Sequence, residues 1–205
     1  MTPESYPRRV RFSVRRFLRM TDAGAFAPEA RVELLAGIPV RIGRATVAQS
    51  STVDILGDPI RRLPLGEAWA LREEKPITLG RSWRPIPNLT LLRGPRARYL
   101  EQPPTASDVG LIVEVADAAI DLARGPKWRR YAACAIPAYW VVDLGARRVD
   151  VYTDPVGEGR AANYRRVESF DEAGRVPVVV EGHTLGEIAV ETVLPPLPVR
   201  SNECE

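Results

Sequence analysis

The 205-residue sequence is poor in several residue types on which common functional sites depend. Its two cysteines, Cys134 and Cys204, are too few for a disulfide framework or a zinc site. Its single histidine, His183, lies near the C-terminal end, and we expect it at the surface or in a turn. There is no glycine-rich phosphate loop and no serine nucleophile elbow. These absences argue against a small-molecule cofactor and favour a reducing compartment.

Long hydrophobic runs are also missing. No apolar stretch reaches the length of a membrane helix, and the start, MTPESYPRRV, lacks the apolar core of a secretory signal. We therefore expect a cytoplasmic protein without membrane contact. What is present is an ordinary globular composition, with 45% hydrophobic and 27% charged residues. We predict a flexible N-terminus at residues 1–9, a single domain at 10–194 and a C-terminal tail at 195–205.

Almost all of the basic residues are arginines. Only two of the 29 basic residues, Lys75 and Lys127, are lysines, and the formal net charge of +3 does not by itself indicate a polyanionic partner. The arginines nevertheless crowd the segment RRVRFSVRRFLR near the start. Arg15, Arg16 and Arg19 are therefore candidates for contact with DNA phosphates. The alternative is a solvated helix face.

Hydrophobic periodicity predicts one mixed α/β domain. A helix capped by Ser13 is predicted from Val14 to about Ala23, and a weakly patterned helix at Ala45–Leu56. A third helix is predicted with Pro126 at its first position. Its predicted apolar stripe is Trp128, Tyr131, Ala132 and Ala135. The strand-like segments are RVELLAG, IPVRI, AWALREE, NLTLLRG, GLIVEVA, AYWVVDL, RRVDVYT, YRRVESF, VPVVV and EIAVETVL.

The strand GLIVEVA contains a carboxylate where an apolar residue is expected. Apolar residues occupy both faces, as in a central parallel or mixed strand, yet Glu114 lies in the middle, on the side of Ile112 and Ala116. Burial of an unpaired carboxylate is costly, so Glu114 requires a cation, a metal ion or hydrogen-bond donors. A structural ion pair with one of the many arginines is one interpretation, and a functional site is the other.

Lys127 is an unusual residue in an unfavourable place. In the first turn of its predicted helix, the macrodipole disfavours a cation by about 0.3–1 kcal/mol. Lysine also differs from arginine in being a compact point charge whose pKa shifts readily on burial. Both observations favour a chemical role, with Glu114 as the natural partner.

The segment IVEVADAAIDLARGPKWRRYAACAIPAYWVVDLGARRVDVY resembles the C-terminal signature of the Uma-type restriction endonucleases. These bacterial proteins belong to the PD-(D/E)xK nuclease superfamily. The upstream segments SVRRFLRM, RVELLAGIPV and PIPNLTLLRG follow in the order that the family uses, so the resemblance covers roughly residues 10 to 190. It implies a restriction-endonuclease-like mixed β-sheet flanked by helices, with an added β-hairpin region, and Mg²⁺- or Mn²⁺-dependent cleavage of DNA.

The resemblance also implies a set of site residues. The family's catalytic glutamate falls on Glu114, its lysine on Lys127 and a further glutamate of the early hairpin on Glu33. The metal ligands would be Glu114 and Asn88, where Asn88 stands at the position of the family's metal-binding aspartate. Such a metal ion polarises the phosphate and activates the attacking water.

Several positions depart from the family pattern. Asn88 offers a carbonyl oxygen but no charge, so Mg²⁺ affinity is expected to fall. Ala123 stands where relatives carry an acidic residue, with Asp121 nearby as a substitute, and Ala36 and Ile38 replace further residues of the early hairpin. We therefore expect an attenuated or inactive nuclease.

Two alternatives to an active enzyme follow. The first is a pseudo-nuclease that serves as a DNA-binding or regulatory module without a metal, in which Glu114 and Lys127 pair with each other. The second is a self-associating protein with no role on nucleic acid. A homodimer is expected, since strand edges in small mixed sheets are often paired.

Overall fold

The computed structural model describes residues 10–117 and 123–196. The predicted flexible residues 1–9, Asp121, Cys204 and most of the predicted tail lie outside this part of the chain. Within it, no helix is long and apolar enough to cross a membrane. The helices are α1 (Val14–Asp22), α2 (Val47–Arg62) and α3 (Trp128–Ala133). The strands are β1 (Val32–Leu35), β2 (Ile38–Arg41), β3 (Trp69–Glu73), β4 (Leu89–Arg93), β5 (Val109–Ala116), β6 (Ala138–Asp143), β7 (Arg148–Val156), β8 (Asn163–Asp171), β9 (Arg175–Val180) and β10 (His183–Ala189).

A six-stranded mixed sheet organises the fold, with strands in the order β3-β4-β5-β6-β7-β8. Only β5 and β6 are parallel neighbours, and the connection between them contains α3. The other pairs are antiparallel. Two separate hairpins, β1-β2 and β9-β10, complete the strands. The predicted mixed sheet flanked by helices, with added hairpins, is confirmed, whereas the predicted limits of the domain stay a prediction.

Strand β5 is buried on both faces, as its composition predicts. Leu111, Val113 and Val115 join the core that the sheet forms with α2 and the β9-β10 hairpin. Ile112 and Ala116 join a second core on the opposite face, against α3. Because side chains alternate along a strand, Glu114 points into this second core.

Helix α1 begins as predicted. The Ser13 side chain accepts a hydrogen bond from the backbone N–H of Arg16 at 3.3 Å, and Val14 and Phe17 are buried against the β1-β2 hairpin. The β1-β2 hairpin turns at Gly37, where glycine is required. Its φ is +81°, and an added Cβ would lie 2.9 Å from the Cβ of Arg11.

Helix α2 is longer than the predicted segment Ala45–Leu56. It begins at a capping box in which the Thr46 side chain and Gln49 satisfy each other's backbone N–H groups, and it runs to Arg62 through Pro59. Its last turns bury Leu56 and Ile60 in the core. Burial against the sheet outweighs the weak local pattern, which is why periodicity alone ended the helix too early.

The third helix also differs from the prediction. Pro126 is not its first residue but lies in a π-helical turn, Ala123–Lys127, and the regular helix starts at Trp128. Gly125, with φ −110° and ψ −115°, interrupts the helical geometry. Tyr131 and Ala132 are buried as predicted, but Ala135 is exposed, because the helix has already ended before it.

Candidate active site

Glu114 lies on β5, an inner strand of the six-stranded sheet, and is only 7% exposed. Its Oε1 accepts a hydrogen bond from Nζ of Lys127 at 3.1 Å and another from the hydroxyl of Tyr131 at 2.8 Å. Both donors come from the segment that connects β5 to β6. Among the described residues, the cation beside Glu114 is thus the predicted lysine.

Lys127 bridges two carboxylates. It lies at the junction between the π-helical turn and α3 and is 5% exposed. Its Nζ is 2.9 Å from Oε1 of Glu33 and 3.1 Å from Oε1 of Glu114. The structure therefore brings together the three residues that the family resemblance implies. Glu33 comes from the β1-β2 hairpin, Glu114 from the central sheet and Lys127 from the start of α3.

Glu33 reaches this position because the β1-β2 hairpin docks on the chain before β4. Leu34 and Arg84 exchange backbone hydrogen bonds of 2.8 and 3.2 Å, which fixes β1 beside that segment. The Oε1 atom of Glu33 also accepts the backbone N–H of Ile86 at 2.7 Å. Its Oε2 is buried and has no hydrogen-bond partner. One oxygen of the cluster is therefore left without a hydrogen-bond donor.

Two carboxylates share a single ammonium, and the pKa values of Lys127 and Glu114 reflect this imbalance. Burial disfavours the charged form of Lys127, but the negative charges of Glu114 and Glu33 outweigh it and raise the pKa of Lys127. Burial is also the main reason that the pKa of Glu114 is raised, with Lys127 opposing and Glu33 adding to the shift. The cluster can accept one further positive charge, as a proton or a cation.

Tyr131 is a site residue that sequence reasoning placed only in the apolar stripe. It is fully buried, and its pKa is well above the ordinary tyrosine value because of burial and then because of the Glu114 charge. The phenol therefore stays protonated and donates to Glu114. Its position four residues after Lys127 is the signal that could have found it, since residues at i and i+4 share a helix face.

Replacing Tyr131 by phenylalanine should lower the free energy of unfolding by about 1.5–3 kcal/mol, because a buried carboxylate loses a hydrogen-bond donor. Denaturant unfolding would measure it. Tyr164 is the matched control: it lies in the same aromatic cluster, but its buried hydroxyl has no hydrogen-bond partner. Tyr164→Phe should be neutral or stabilising, and equal losses for the two variants would contradict a specific role for the Tyr131 hydroxyl.

Asn88 immediately precedes β4 and lies beside the cluster. Its Oδ1 accepts the backbone N–H of Val115, the residue after Glu114, at 2.8 Å. The carbonyl oxygen is oriented toward that backbone N–H, and the other arm of the amide is the NH₂ group, which is a donor. The Val115 carbonyl in turn accepts Nε2 of Gln49 at 3.5 Å.

A cavity of about 100 Å³ joins these groups. Its lining includes Glu33, Asn88, Glu114 and Lys127, so all four predicted catalytic and metal-binding positions meet there. Within residues 10–117 and 123–196, no three His, Cys, Asp or Glu side chains come together as a metal-binding group. The cavity lining therefore offers two carboxylates, two amides, one ammonium and the guanidinium of Arg31.

The predicted nucleic-acid-binding residues are not part of this cavity. Arg15, Arg16 and Arg19 are all exposed on α1, whose buried side packs on the hairpin that carries Glu33. Their proposed contact with DNA stays a prediction. Among the positions that depart from the family, Ala36 and Ile38 do not line the cavity.

Comparisons with known proteins agree with this architecture. A family model described as "Uma2: Putative restriction endonuclease" matches residues 14–189. Among solved structures, the chain is similar to a protein described as "a putative nuclease belonging to DUF820 from Anabaena variabilis ATCC 29413". The TM-score is 0.60 at 15% sequence identity, and the match covers 89% of this chain and 97% of that one. No curated protein matches the sequence.

Proposed function

Because the chain belongs to the Uma2 family of restriction-endonuclease-like proteins, we propose that it binds DNA through a nuclease-type site whose cleavage activity is attenuated or absent. The family suggests DNA as the substrate and a divalent metal as the cofactor. The observation that carries the proposal is the bonding of Asn88. Its carbonyl oxygen is held by a backbone N–H, at the position that the family resemblance assigns to the metal-binding aspartate.

The residues of the cavity do not fit Mg²⁺ as they are arranged. Mg²⁺ prefers six oxygen ligands in octahedral geometry, including one or two carboxylates. Here the Lys127 ammonium stands between the two carboxylates, 2.9 Å from Glu33 and 3.1 Å from Glu114. The NH₂ arm of Asn88 would repel a cation. The unpartnered Oε2 of Glu33 is the feature that would favour one, and a single buried oxygen is too little for tight binding.

In this proposal the cluster has a structural role. Lys127 neutralises the carboxylates of Glu33 and Glu114, and Tyr131 orients Glu114 by donating a hydrogen bond. Removal of either partner of a buried ion pair costs about 3–5 kcal/mol, so such a pair persists even where the reaction is lost.

The exposed arginines of α1 support DNA as the ligand. Arg15, Arg16 and Arg19 have no carboxylate within ion-pair distance among the described residues, so their charges are available for phosphates. The helix packs through Val14 and Phe17 onto the hairpin that positions Glu33. The helix that carries these arginines therefore packs on the same β1-β2 hairpin that supplies Glu33 to the cavity.

Purified protein should bind duplex DNA in EDTA, with affinity that falls steeply as salt rises, because phosphate contacts release counterions. Replacing Arg15, Arg16 and Arg19 by glutamine should reduce the slope of log affinity against log salt by up to about 3. Fluorescence anisotropy would measure both. Supercoiled plasmid incubated with Mg²⁺ or Mn²⁺ should stay uncut or be nicked only slowly.

Two results would contradict the proposal. Efficient plasmid cleavage that Glu114→Ala abolishes would show an active enzyme. Absence of DNA binding even at low salt would instead favour the self-associating protein without a nucleic-acid role. A homodimer through the edge strands of the sheet, β3 or β8, stays a prediction that sedimentation would test.

A further inference from the structure

A second cavity, of about 490 Å³, lies at the opposite end of the sheet from β8. Its walls come from α2, from the edge strand β3 and from the 3-10 turn Arg96–Tyr99 that follows β4. None of the residues of the catalytic cavity lines it. It is therefore a separate site on the molecule.

Most of the acidic side chains in this wall are already neutralised. Glu73 forms an ion pair with Arg61 of α2, which also pairs with Asp58 at 2.9 Å. Glu74 forms an ion pair with Arg31 at 2.7 Å. The remaining acid, Asp54, is exposed on α2. The negative charge that faces the cavity is thus small.

Three basic residues of the wall have no such partner. Among the described residues, no carboxylate lies within ion-pair distance of Arg72, Lys75 or Arg96. The lining of the cavity includes four basic and three acidic side chains, so it carries a surplus of one positive charge. A pocket with such a surplus attracts anions.

Arg72 is the centre of this surplus. Its side chain is half-buried, and its Nη1 is buried without a hydrogen-bond acceptor. Burial and then the nearby charge of Arg96 lower the pKa of Arg72, and burial and the charge of Arg72 lower that of Arg84. Arg72 therefore lies close to other positive charges, with no carboxylate within ion-pair distance of it among the described residues, and an anion placed there would relieve both the repulsion and the missing acceptor.

We propose that Arg72 and Arg96, with Lys75 at the rim, bind a phosphate group of a DNA strand in this cavity. Guanidinium groups suit phosphate because their N–H groups match its oxygens in pairs. The choice of DNA as the source of the phosphate rests on the proposed function, whereas the anion site itself does not.

The two cavities are neighbours, which favours a single extended ligand. Arg31 lines the catalytic cavity, and its ion-pair partner Glu74 lines the second one. The backbone N–H of Glu74 also donates to the carbonyl oxygen of Asn88 at 2.9 Å. The Arg31–Glu74 ion pair and the hydrogen bond between Glu74 and Asn88 therefore connect the two cavities. A DNA strand bound at Arg72 would extend toward the cavity that contains Lys127.

The test compares Arg72→Gln/Arg96→Gln with a charge-matched control, Arg160→Gln/Arg166→Gln, whose exposed arginines lie at the β8 end of the sheet. Binding of a labelled DNA duplex is measured by anisotropy in EDTA, and binding of inorganic phosphate by calorimetry. We expect the first variant to weaken DNA binding about tenfold and to reduce the slope of log affinity against log salt by about 2. The control variant should change the affinity and the slope by less than half of these amounts. Arg96→Gln alone, at an exposed position, keeps the test valid if the double variant fails to fold.

The outcomes separate the two proposals. Loss of phosphate binding without loss of DNA affinity would support the anion site and replace DNA by a small phosphate compound as its ligand. Unchanged binding of both ligands in Arg96→Gln and in the double variant would overturn the site. If the unmodified protein binds phosphate but does not bind DNA, only the proposed function is overturned.

Discussion

Replacing Lys127 by methionine should lower the free energy of unfolding by about 3–5 kcal/mol, because the buried carboxylates of Glu33 and Glu114 then lose their shared cation. Methionine keeps the length of the side chain, so packing changes little. Urea unfolding followed by circular dichroism would measure the loss. The chain offers its own control in Lys75, the other lysine, which is exposed. Lys75→Met should change stability by no more than about 0.5 kcal/mol.

The loss should depend on pH in a defined direction. The pKa of Glu114 is raised in the folded protein, so the folded state binds more protons and stability falls as pH rises from the ordinary glutamate range through the folded value. In Lys127→Met the pKa of Glu114 should rise further, because the opposing charge of Lys127 is absent. The difference in stability between this variant and the unmodified protein should therefore become smaller as the pH is lowered from 8 to 5. The raised pKa of Lys127 gives the unmodified protein a loss only above about pH 10.4.

A double variant tests whether unpaired charge is the cause. Adding Glu114→Gln to Lys127→Met should restore part of the lost stability, because one of the two buried charges is then absent. If Lys127→Met is as stable as the unmodified protein at pH 8, the buried cluster does not exist as described. If the second substitution only adds to the loss, packing and not charge determines the effect.

Replacing Asn88 by aspartate should raise the affinity for Mn²⁺ at least about tenfold, a change of about 1.4 kcal/mol. One carboxylate oxygen can keep the hydrogen bond from the Val115 N–H, and the other replaces the NH₂ group in the cavity that Glu33 and Glu114 line. A third carboxylate beside these two provides oxygen ligands and the negative charge that a divalent cation requires. Isothermal calorimetry would measure the gain, and any plasmid cleavage that appears with it would show restored chemistry.

Asn163 provides the matched control, since it is an exposed asparagine at the start of β8, far along the sheet from the cavity. Asn163→Asp changes the net charge by the same amount, so an equal rise in Mn²⁺ affinity would reflect overall charge alone. No change in Asn88→Asp would count against Asn88 as the position of the missing metal ligand.

The central strand and its unusual carboxylate could be predicted from the sequence. Two-sided apolar composition identified β5, and alternation placed Glu114 on the side of Ile112 and Ala116, as the structure confirms. The scarcity of lysine in the sequence, together with its position, indicated a specific role for Lys127. Local signals of this kind are strong because they depend on side-chain period and on single out-of-place residues.

Other features could not be predicted, because they depend on contacts between distant segments. The extension of α2 through Pro59 depends on burial against the sheet, and the shift of the α3 start from Pro126 to Trp128 depends on the backbone at Gly125. The hydrogen bond from Tyr131 to Glu114 joins an apolar stripe to a polar site. Periodicity describes which face of an element is apolar, but not what that face meets.

The sequence by itself determined the class of fold, the family and the identity of the charged residues, because patterning and motif order are local properties of the chain. Only the tertiary structure decided how these charges are satisfied. It placed Glu33 against Lys127 through the docking of a hairpin, turned the Asn88 carbonyl to the Val115 N–H and left Nη1 of Arg72 without a hydrogen-bond acceptor among the described residues. Buried charges interact over a few ångströms in a medium of low polarity, so their partners depend on the three-dimensional packing of segments that are far apart in the chain.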